Sequence, residues 1–210
     1  YGQAGGEFID YCLSWGALIL GHAHPKIVEA TVKAIKKGTS FGAATKLEIE
    51  FAKTIIAAIP SLEQVRLTSS GTEAVMAAVK LARAYTGKDK ILKFDCAYHG
   101  WQDFPSLIAP YNDLAGTERL IRKHKDDIAA IIVEPVAANY GVIPAQPFFL
   151  KGLRRLADKY GALLIFDEVI TGFRLGLGGA QGLFKVKPDL TTLGKIIGGG
   201  FPIGAFGGRK

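Results

Sequence analysis

The 210-residue sequence is poor in cysteine and histidine, and it has no long apolar run. Its two cysteines, Cys12 and Cys96, are far apart and lack metal-ligand spacing, so we expect them to be small core residues of a reducing compartment. Of the four histidines, His22 and His24 have no ligand cluster nearby, and we predict no metal site. No segment is apolar over the thickness of a bilayer, and no signal-peptide pattern opens the chain. We therefore expect a cytoplasmic protein with no membrane partner.

The excess of positive charge, +7 from 26 basic and 19 acidic residues, raises the question of a nucleic-acid surface. The basic residues are scattered over predicted helices with acids nearby, and no basic stripe interleaved with aromatics is present. We therefore predict a solvated surface and no nucleic-acid partner. Some positive potential would also suit an anionic cofactor and a carboxylate substrate.

Strand and helix patterns alternate regularly from residue 64 onward. Strands are predicted at 64–68, 90–94, 128–133 and 162–166, and helices at 72–86, 114–125 and 147–160. This alternation predicts an α/β fold, a mostly parallel sheet with helices on both faces. Upstream, the patterns predict a strand-like stretch at 7–11, a helix at 25–37, and a second helix that begins at the Thr45 cap, buries a face including Leu47 and ends at Pro60.

We divide the chain into an N-terminal strand-and-turn segment, residues 1–40, and a large domain, residues 41–210. The sequence starts without methionine and stops just after a strand-like stretch at 203–206. We therefore expect it to be a fragment of a longer protein.

Two strand ends carry the groups on which the functional prediction depends. Lys195 lies between a strand-forming run and a loop of three consecutive glycines, and Asp167 ends the apolar run 163–166. Alone, Lys195 would fit a surface residue before a flexible turn, and Asp167 with Glu168 would fit a paired-carboxylate site. Together, an amine and an acid at two strand ends suggest pyridoxal phosphate, with the lysine on its aldehyde and the aspartate on its ring nitrogen.

Other strand ends carry weaker signals, most of which have two interpretations. The stretch 68–74 places small hydroxyl residues and Gly71 at a helix start, which suits a phosphate but also fits a capping box of Ser70 and Glu73. Tyr98 could stack on a flat ring or be structural. Asn139 could donate to a phenolic oxygen of such a ring. Glu134 fits a functional group and a structural hydrogen-bonding residue equally well.

The motifs stand in the order found in class III pyridoxal-phosphate aminotransferases, which the chain resembles over nearly its whole length. The resemblance rests on Ser70-Gly71-Thr72-Glu73-Ala74, Tyr98-His99-Gly100, Val133-Glu134-Pro135, Phe166-Asp167-Glu168-Val169, Thr192-Leu193-Gly194-Lys195, and the stretches 14–25, 109–114 and 188–208. It implies the large domain of a fold-type I enzyme that works as a homodimer. It also implies pyridoxal 5'-phosphate as cofactor, with the pyridoxamine form in the cycle.

The resemblance assigns roles to individual residues of this chain. Lys195 would hold the cofactor and carry protons, and Asp167 would pair with the ring nitrogen. Phosphate binding would fall to Ser70, Gly71 and Thr72, ring contacts to Tyr98 and Val169, and the phenolic oxygen to Asn139. Trp15, and less surely Ser14, would line the pocket of a small amino-acid-type substrate.

Within the family, the chain most resembles the aminomutases that convert glutamate-1-semialdehyde to 5-aminolevulinate for tetrapyrrole synthesis. A transaminase acting on an ω-amino acid or an amino sugar is the alternative, and a catalytically silent binding subunit is the non-enzymatic one. The stretch between His99 and Pro110 is shorter than in the aminomutases, where a mobile gating loop lies, and Trp101 differs from their common residue.

Overall fold

The computed structural model describes residues 2–95 and 97–210. The helices are α1 (Leu13–Gly16), α2 (Pro25–Ile35), α3 (Lys46–Ala58), α4 (Gly71–Thr86), α5 (Leu114–Lys123), α6 (Phe149–Tyr160) and α7 (Gly179–Phe184). The strands are β1 (Gln64–Thr68), β2 (Lys90–Phe94), β3 (Ser106–Ala109), β4 (Ile128–Val133), β5 (Val136–Ala137), β6 (Ile143–Pro144), β7 (Leu163–Asp167), β8 (Leu190–Leu193) and β9 (Gly204–Gly208). A short 3-10 helix covers Lys195–Gly198. No helix in these two ranges is long and apolar enough to cross a membrane.

Seven strands form one sheet in the order β1-β9-β8-β7-β4-β2-β3. The pairings among β3, β2, β4, β7 and β8 are parallel, whereas β9 is antiparallel to both of its neighbours. The predicted α/β fold with a mostly parallel sheet is confirmed. The direction of β9 has a simple reason: the link from Leu193 to Gly204 is shorter than the dozen or so residues that a parallel crossover needs.

Strand β4 shows why the sheet has helices on both faces. All six of its residues are buried. Because side chains alternate along a strand, Ile131 and Val133 pack on one face with α6, whereas Ala130 and Ile132 pack on the other with α4. A third cluster places Ile55 and Ile59, from the end of α3 and just beyond it, beside β8 and β9. Helices therefore pack against both faces of the sheet, and the core lies between the sheet and each helical layer.

The N-terminal predictions are partly wrong. Residues 7–11 form no strand, and Phe8, Ile9 and Tyr11 are exposed. The alternating residues pair with no strand of the sheet, and none of residues 2–40 is buried. Cys12 is exposed and not a core residue, and Cys96 lies outside the described residues.

Helix α3 begins as predicted, with Thr45 Oγ1 accepting the N–H of Glu48, but Leu47 is 65% exposed instead of buried. The structure also contains β3 and α7, which the sequence patterns did not indicate. Both are short, and α7 has two glycines that weaken its helical signal.

Gly204 allows β9 to lie against the turn that joins β1 to α4. A Cβ atom at this position would overlap the Ser70 carbonyl oxygen, which belongs to the backbone and has no flexible end to move away. The glycine therefore sets the distance between β9 and this turn. By contrast, Gly182 in α7 has open space around its Cβ position.

We expect Gly204→Ala to lower the free energy of unfolding of the full-length protein by about 1–3 kcal/mol, because the turn must shift. Gly182→Ala is the matched control and should be neutral or add up to about 1 kcal/mol, since alanine favours a helix. Urea unfolding followed by circular dichroism measures both variants. Equal stabilities of the two would contradict the packing constraint at Gly204.

Candidate active site

The ends of five strands meet around one cavity at the C-terminal edge of the parallel strands. Strand β1 runs in the same direction as β8, because both are antiparallel to β9. The cavity has a volume of about 180 Å³. Among the residues that line it are all those predicted to contact a cofactor: Ser70, Gly71, Thr72, Tyr98, Asn139, Asp167, Val169 and Lys195. The structure thus brings this predicted set together, and the role of each residue stays a prediction.

Lys195 enters the cavity from the first residue of the 3-10 helix that follows β8. Its backbone adopts the left-handed conformation, with φ of 45°, which non-glycine residues seldom take. Burial lowers the pKa of its amine, and the nearby carboxylates of Asp167 and Glu134 oppose that effect. Lys195 therefore becomes a neutral amine more readily than a lysine in water.

Asp167 is buried at the end of β7 and is held by three groups. Its Oδ1 accepts the backbone N–H of Val169 at 3.1 Å and the hydroxyl of Thr192 at 3.2 Å. Its Oδ2 lies 2.7 Å from Nδ1 of His99, and both side chains are 3% exposed. These contacts fix the direction in which the carboxylate faces the cavity.

His99 is a residue of this site to which no role was assigned from the sequence. The only signal for it was its place next to Tyr98 after β2, and a lone histidine there is more often structural. Its Nε2 is buried and has no hydrogen-bond partner among the described residues. The one hydrogen bond of the imidazole among the described residues is therefore the bond that orients Asp167.

The turn before α4 has the geometry of an anion site. Ser70 Oγ accepts the N–H of Glu73, and the Glu73 carboxylate accepts the N–H of Ser69 at 2.6 Å. The N–H groups of Gly71 and Thr72 have no partner inside the helix, because they lie in its first turn. A phosphate would meet these donors and the positive end of the helix dipole. The capping interpretation and the phosphate interpretation are therefore compatible.

Val169 and Tyr98 lie on the walls of the same cavity. A Cβ atom at Gly71 would lie 3.0 Å from a methyl group of Val169, so glycine allows this turn to lie close against the Val169 side chain. Tyr98 is 55% exposed, and its backbone N–H donates to Glu134 at 2.9 Å. Glu134 also accepts the N–H of Ala138, which agrees with the structural interpretation, and it lines the cavity as well.

Ser14 and Trp15 do not line the cavity around Lys195. Trp15 is 80% exposed, and Ser14 lines a neighbouring cleft between the N-terminal segment and residues 196–201. Arg174 holds this turn by donating to the carbonyl oxygen of Gly16. The predicted contact of Ser14 and Trp15 with substrate stays a prediction.

The sequence profile described as aminotransferase class-III matches residues 1–107 and 108–210. The chain belongs to the class III aminotransferase family. The name of this family describes amino-group transfer, and in this chain the amine of Lys195 and the acid of Asp167 lie at the ends of neighbouring strands.

Relatives of this class III chain are similar over nearly all of its length. It is 53% identical to glutamate-1-semialdehyde 2,1-aminomutase of Pelotomaculum thermopropionicum, over 97% of this chain and 53% of that protein. It is 50% identical to glutamate-1-semialdehyde 2,1-aminomutase 1 of Lachnoclostridium phytofermentans, over 100% of this chain and 55% of that protein. The chain spans about half the length of the curated relatives it matches.

Two solved structures show the same fold. An ω-transaminase of Sphaerobacter thermophilus is 43% identical, with a TM-score of 0.91, over 95% of this chain and 53% of its own. A glutamate-1-semialdehyde aminomutase of Pseudomonas aeruginosa is 27% identical, with a TM-score of 0.90, over 97% and 50%. The fold-type I prediction is therefore confirmed for this class III member. The family match divides between residues 107 and 108, within β3.

Because burial lowers the pKa of Lys195, we expect its amine to react with acetic anhydride at lower pH than a free lysine amine does. Competitive labelling of the cofactor-free, full-length protein between about pH 6 and 10, followed by peptide mapping, gives the midpoint. Asp167→Asn and Glu134→Gln should each lower that midpoint further, because each removes a negative charge that stabilises the ammonium.

Glu50→Gln, which alters an exposed carboxylate on α3, is the control and should leave the midpoint unchanged. A Lys195 midpoint at or above that of free lysine would contradict the expected effect of burial.

Proposed function

We propose that the full-length protein is a pyridoxal-phosphate enzyme that converts glutamate-1-semialdehyde to 5-aminolevulinate, and that this chain is its cofactor-binding large domain. The observation that carries the proposal is the meeting of Lys195 and Asp167, from the ends of adjacent strands, in one cavity with a phosphate-type turn. Relatives named as aminomutases, which are 50–53% identical to this chain over the aligned residues, support the substrate.

The donor set of the cavity fits pyridoxal phosphate, which supplies an electron sink for the carbon that loses a proton. Lys195 would bind its aldehyde and, as a neutral amine, remove or return the proton at the substrate carbon that bears the amine. Asp167, oriented by His99 and Thr192, would hold a proton on the ring nitrogen. The negative charge that develops during the reaction would thereby face a fixed positive group.

The remaining residues would position the cofactor. Gly71 and Thr72 would give their backbone N–H groups to the phosphate, with Ser70 beside them. Tyr98 and Val169 would pack against opposite faces of the ring. Asn139 would donate to its phenolic oxygen.

The second candidate is a two-substrate transaminase. Three solved transaminases are 40–43% identical to this chain, whereas the Pseudomonas aminomutase is 27% identical. The two candidates share the cofactor and the cavity, so they differ in whether an external amino donor is needed. An intact Lys195 and Asp167 argue against a silent binding subunit.

We also propose a cytoplasmic homodimer in which residues 1–40 lead into the large domain, residues 41–210. Helix α2 supports an interface in this segment, because a row of its apolar side chains is exposed: Ile27, Val28, Val32 and Ile35. These side chains would be covered by a second copy.

Lys195 should carry the cofactor. Borohydride reduction of the full-length protein with bound pyridoxal phosphate, followed by peptide mapping, should place the pyridoxyl group on Lys195. Lys195→Arg should lose this label, whereas Lys185→Arg, which changes an exposed lysine, should keep it. A label on any other lysine would contradict the assignment of Lys195 as the residue that carries the cofactor.

The full-length enzyme should form 5-aminolevulinate from glutamate-1-semialdehyde with no added amino donor. An aminomutase redistributes the amine within a single substrate skeleton, whereas a transaminase exchanges it with a second substrate in ping-pong fashion. The assay compares product formation with and without an amino donor and a keto acid. Turnover that depends on either addition would favour the transaminase.

A further inference from the structure

We infer that Glu134 is a positioning residue that holds, on its two carboxylate oxygens, the two chain segments that carry Tyr98 and Asn139. The contacts themselves are independent of any cofactor. Their consequence for the ring rests on the proposed function, because Tyr98 and Asn139 are the residues expected to contact the cofactor there.

Glu134 lies directly after β4 and is 3% exposed. One carboxylate oxygen, Oε1, accepts the backbone N–H of Tyr98 at 2.9 Å. The other, Oε2, accepts the backbone N–H of Ala138, next to Asn139, at 3.3 Å. One buried side chain therefore connects the segment after β2 with the segment after β4.

The backbone of Glu134 is anchored from its other side. The hydroxyl of Tyr111 donates to the carbonyl oxygens of Glu134 and Pro135, at 2.9 Å and 3.1 Å. The ring of Tyr111 packs edge-on against Phe94 and Phe149 in the core. The backbone that carries the carboxylate is thus held by a packed core residue, as a positioning group requires.

The geometry favours positioning over proton transfer. Both oxygens face N–H donors, so a proton on Glu134 would displace one of these hydrogen bonds. Burial raises the pKa of Glu134, the charge of Asp167 adds to that effect, and the two N–H donors oppose it. The site therefore tolerates the buried carboxylate because the two segments satisfy it.

Glu168 provides a natural control, because it is also a buried carboxylate and lies next to Asp167. Its oxygens accept from the hydroxyl of Thr171, the N–H groups of Ala180 and Gln181, and the side chain of Gln181. None of these donors comes from the segments that Glu134 holds. Replacing Glu168 thus tests the effect of losing a buried carboxylate without releasing Tyr98 or Asn139.

Hydrogen–deuterium exchange on the cofactor-free, full-length protein tests the contacts directly. In Glu134→Ala, peptides covering residues 97–100 and 136–139 should exchange at least about tenfold faster, since each loses a bond to a charged acceptor. Glu134→Gln retains one acceptor oxygen and should release only one of the two segments. Glu168→Gln should leave both segments unchanged. Unchanged exchange in the Glu134 variants would overturn the inference, and if Glu134→Ala fails to fold, Glu134→Gln decides it.

Binding of pyridoxal phosphate gives a second readout besides activity. We expect Glu134→Ala to weaken binding about tenfold or more and to reduce the induced circular dichroism of the cofactor band, because Tyr98 and Asn139 are no longer held. Lost turnover with unchanged binding and dichroism would instead indicate a proton carrier and overturn positioning. Wild-type protein without a cofactor band would contradict the proposed function, and hydrogen exchange would still decide the contacts of Glu134.

Discussion

The contact between Asp167 and His99 is the interaction on which the architecture of the site depends. Both side chains are almost fully buried, and a carboxylate taken out of water costs several kcal/mol unless other groups compensate it. The compensation comes from three groups: His99 in the segment after β2, the N–H of Val169 two residues after the end of β7, and the hydroxyl of Thr192 on β8. Satisfying one buried carboxylate therefore brings together the segments at the ends of β2, β7 and β8, and residues of these segments line the cavity.

The balance between burial and nearby charges also determines the pKa of Lys195. Two carboxylates, Asp167 and Glu134, lie near its amine in a cavity of about 180 Å³, and burial acts against the ammonium form. In such surroundings charges interact more strongly than in water, so small displacements of either carboxylate change the proton affinity of the amine. His99 holds the carboxylate of Asp167, and two backbone N–H groups hold that of Glu134. By fixing these two carboxylates, the structure also fixes their effect on the pKa of Lys195.

The sequence predicted β1, β2 and β4 well, and it predicted the shortest elements and the N-terminal segment poorly. The bounds of β2 and β4 agree with the predicted strands, because strands inside a sheet are rich in apolar residues. Strand β1 lies at the edge of the sheet and was predicted as well, because polar and apolar residues alternate along it. Short edge elements such as β3 leave little signal, and the alternation at 7–11 was misleading because no sheet edge receives it. Most of the cavity residues were predicted from strand ends, and Val169 from the family resemblance. The hydrogen bonds of Glu134 and His99 were not predicted, since they join residues 36 and 68 positions apart. Pairings of that kind are set by sheet order, which local patterns do not encode.

The cavity alone does not decide between an aminomutase and a transaminase, because the same amine, acid and anion turn would serve both. Specificity must then arise from groups that surround the opening. Two segments are placed to do this: the turn Leu13–Gly16, which contacts the 3-10 helix of Lys195, and the strap at 101–104, which faces α4 across a groove beginning at Ser70 and Thr72. Trp15 and Trp101 are both more than three-quarters exposed on these segments. The choice of reaction would then depend on contacts outside the cavity, and the predicted contact of Trp15 with substrate is one of them.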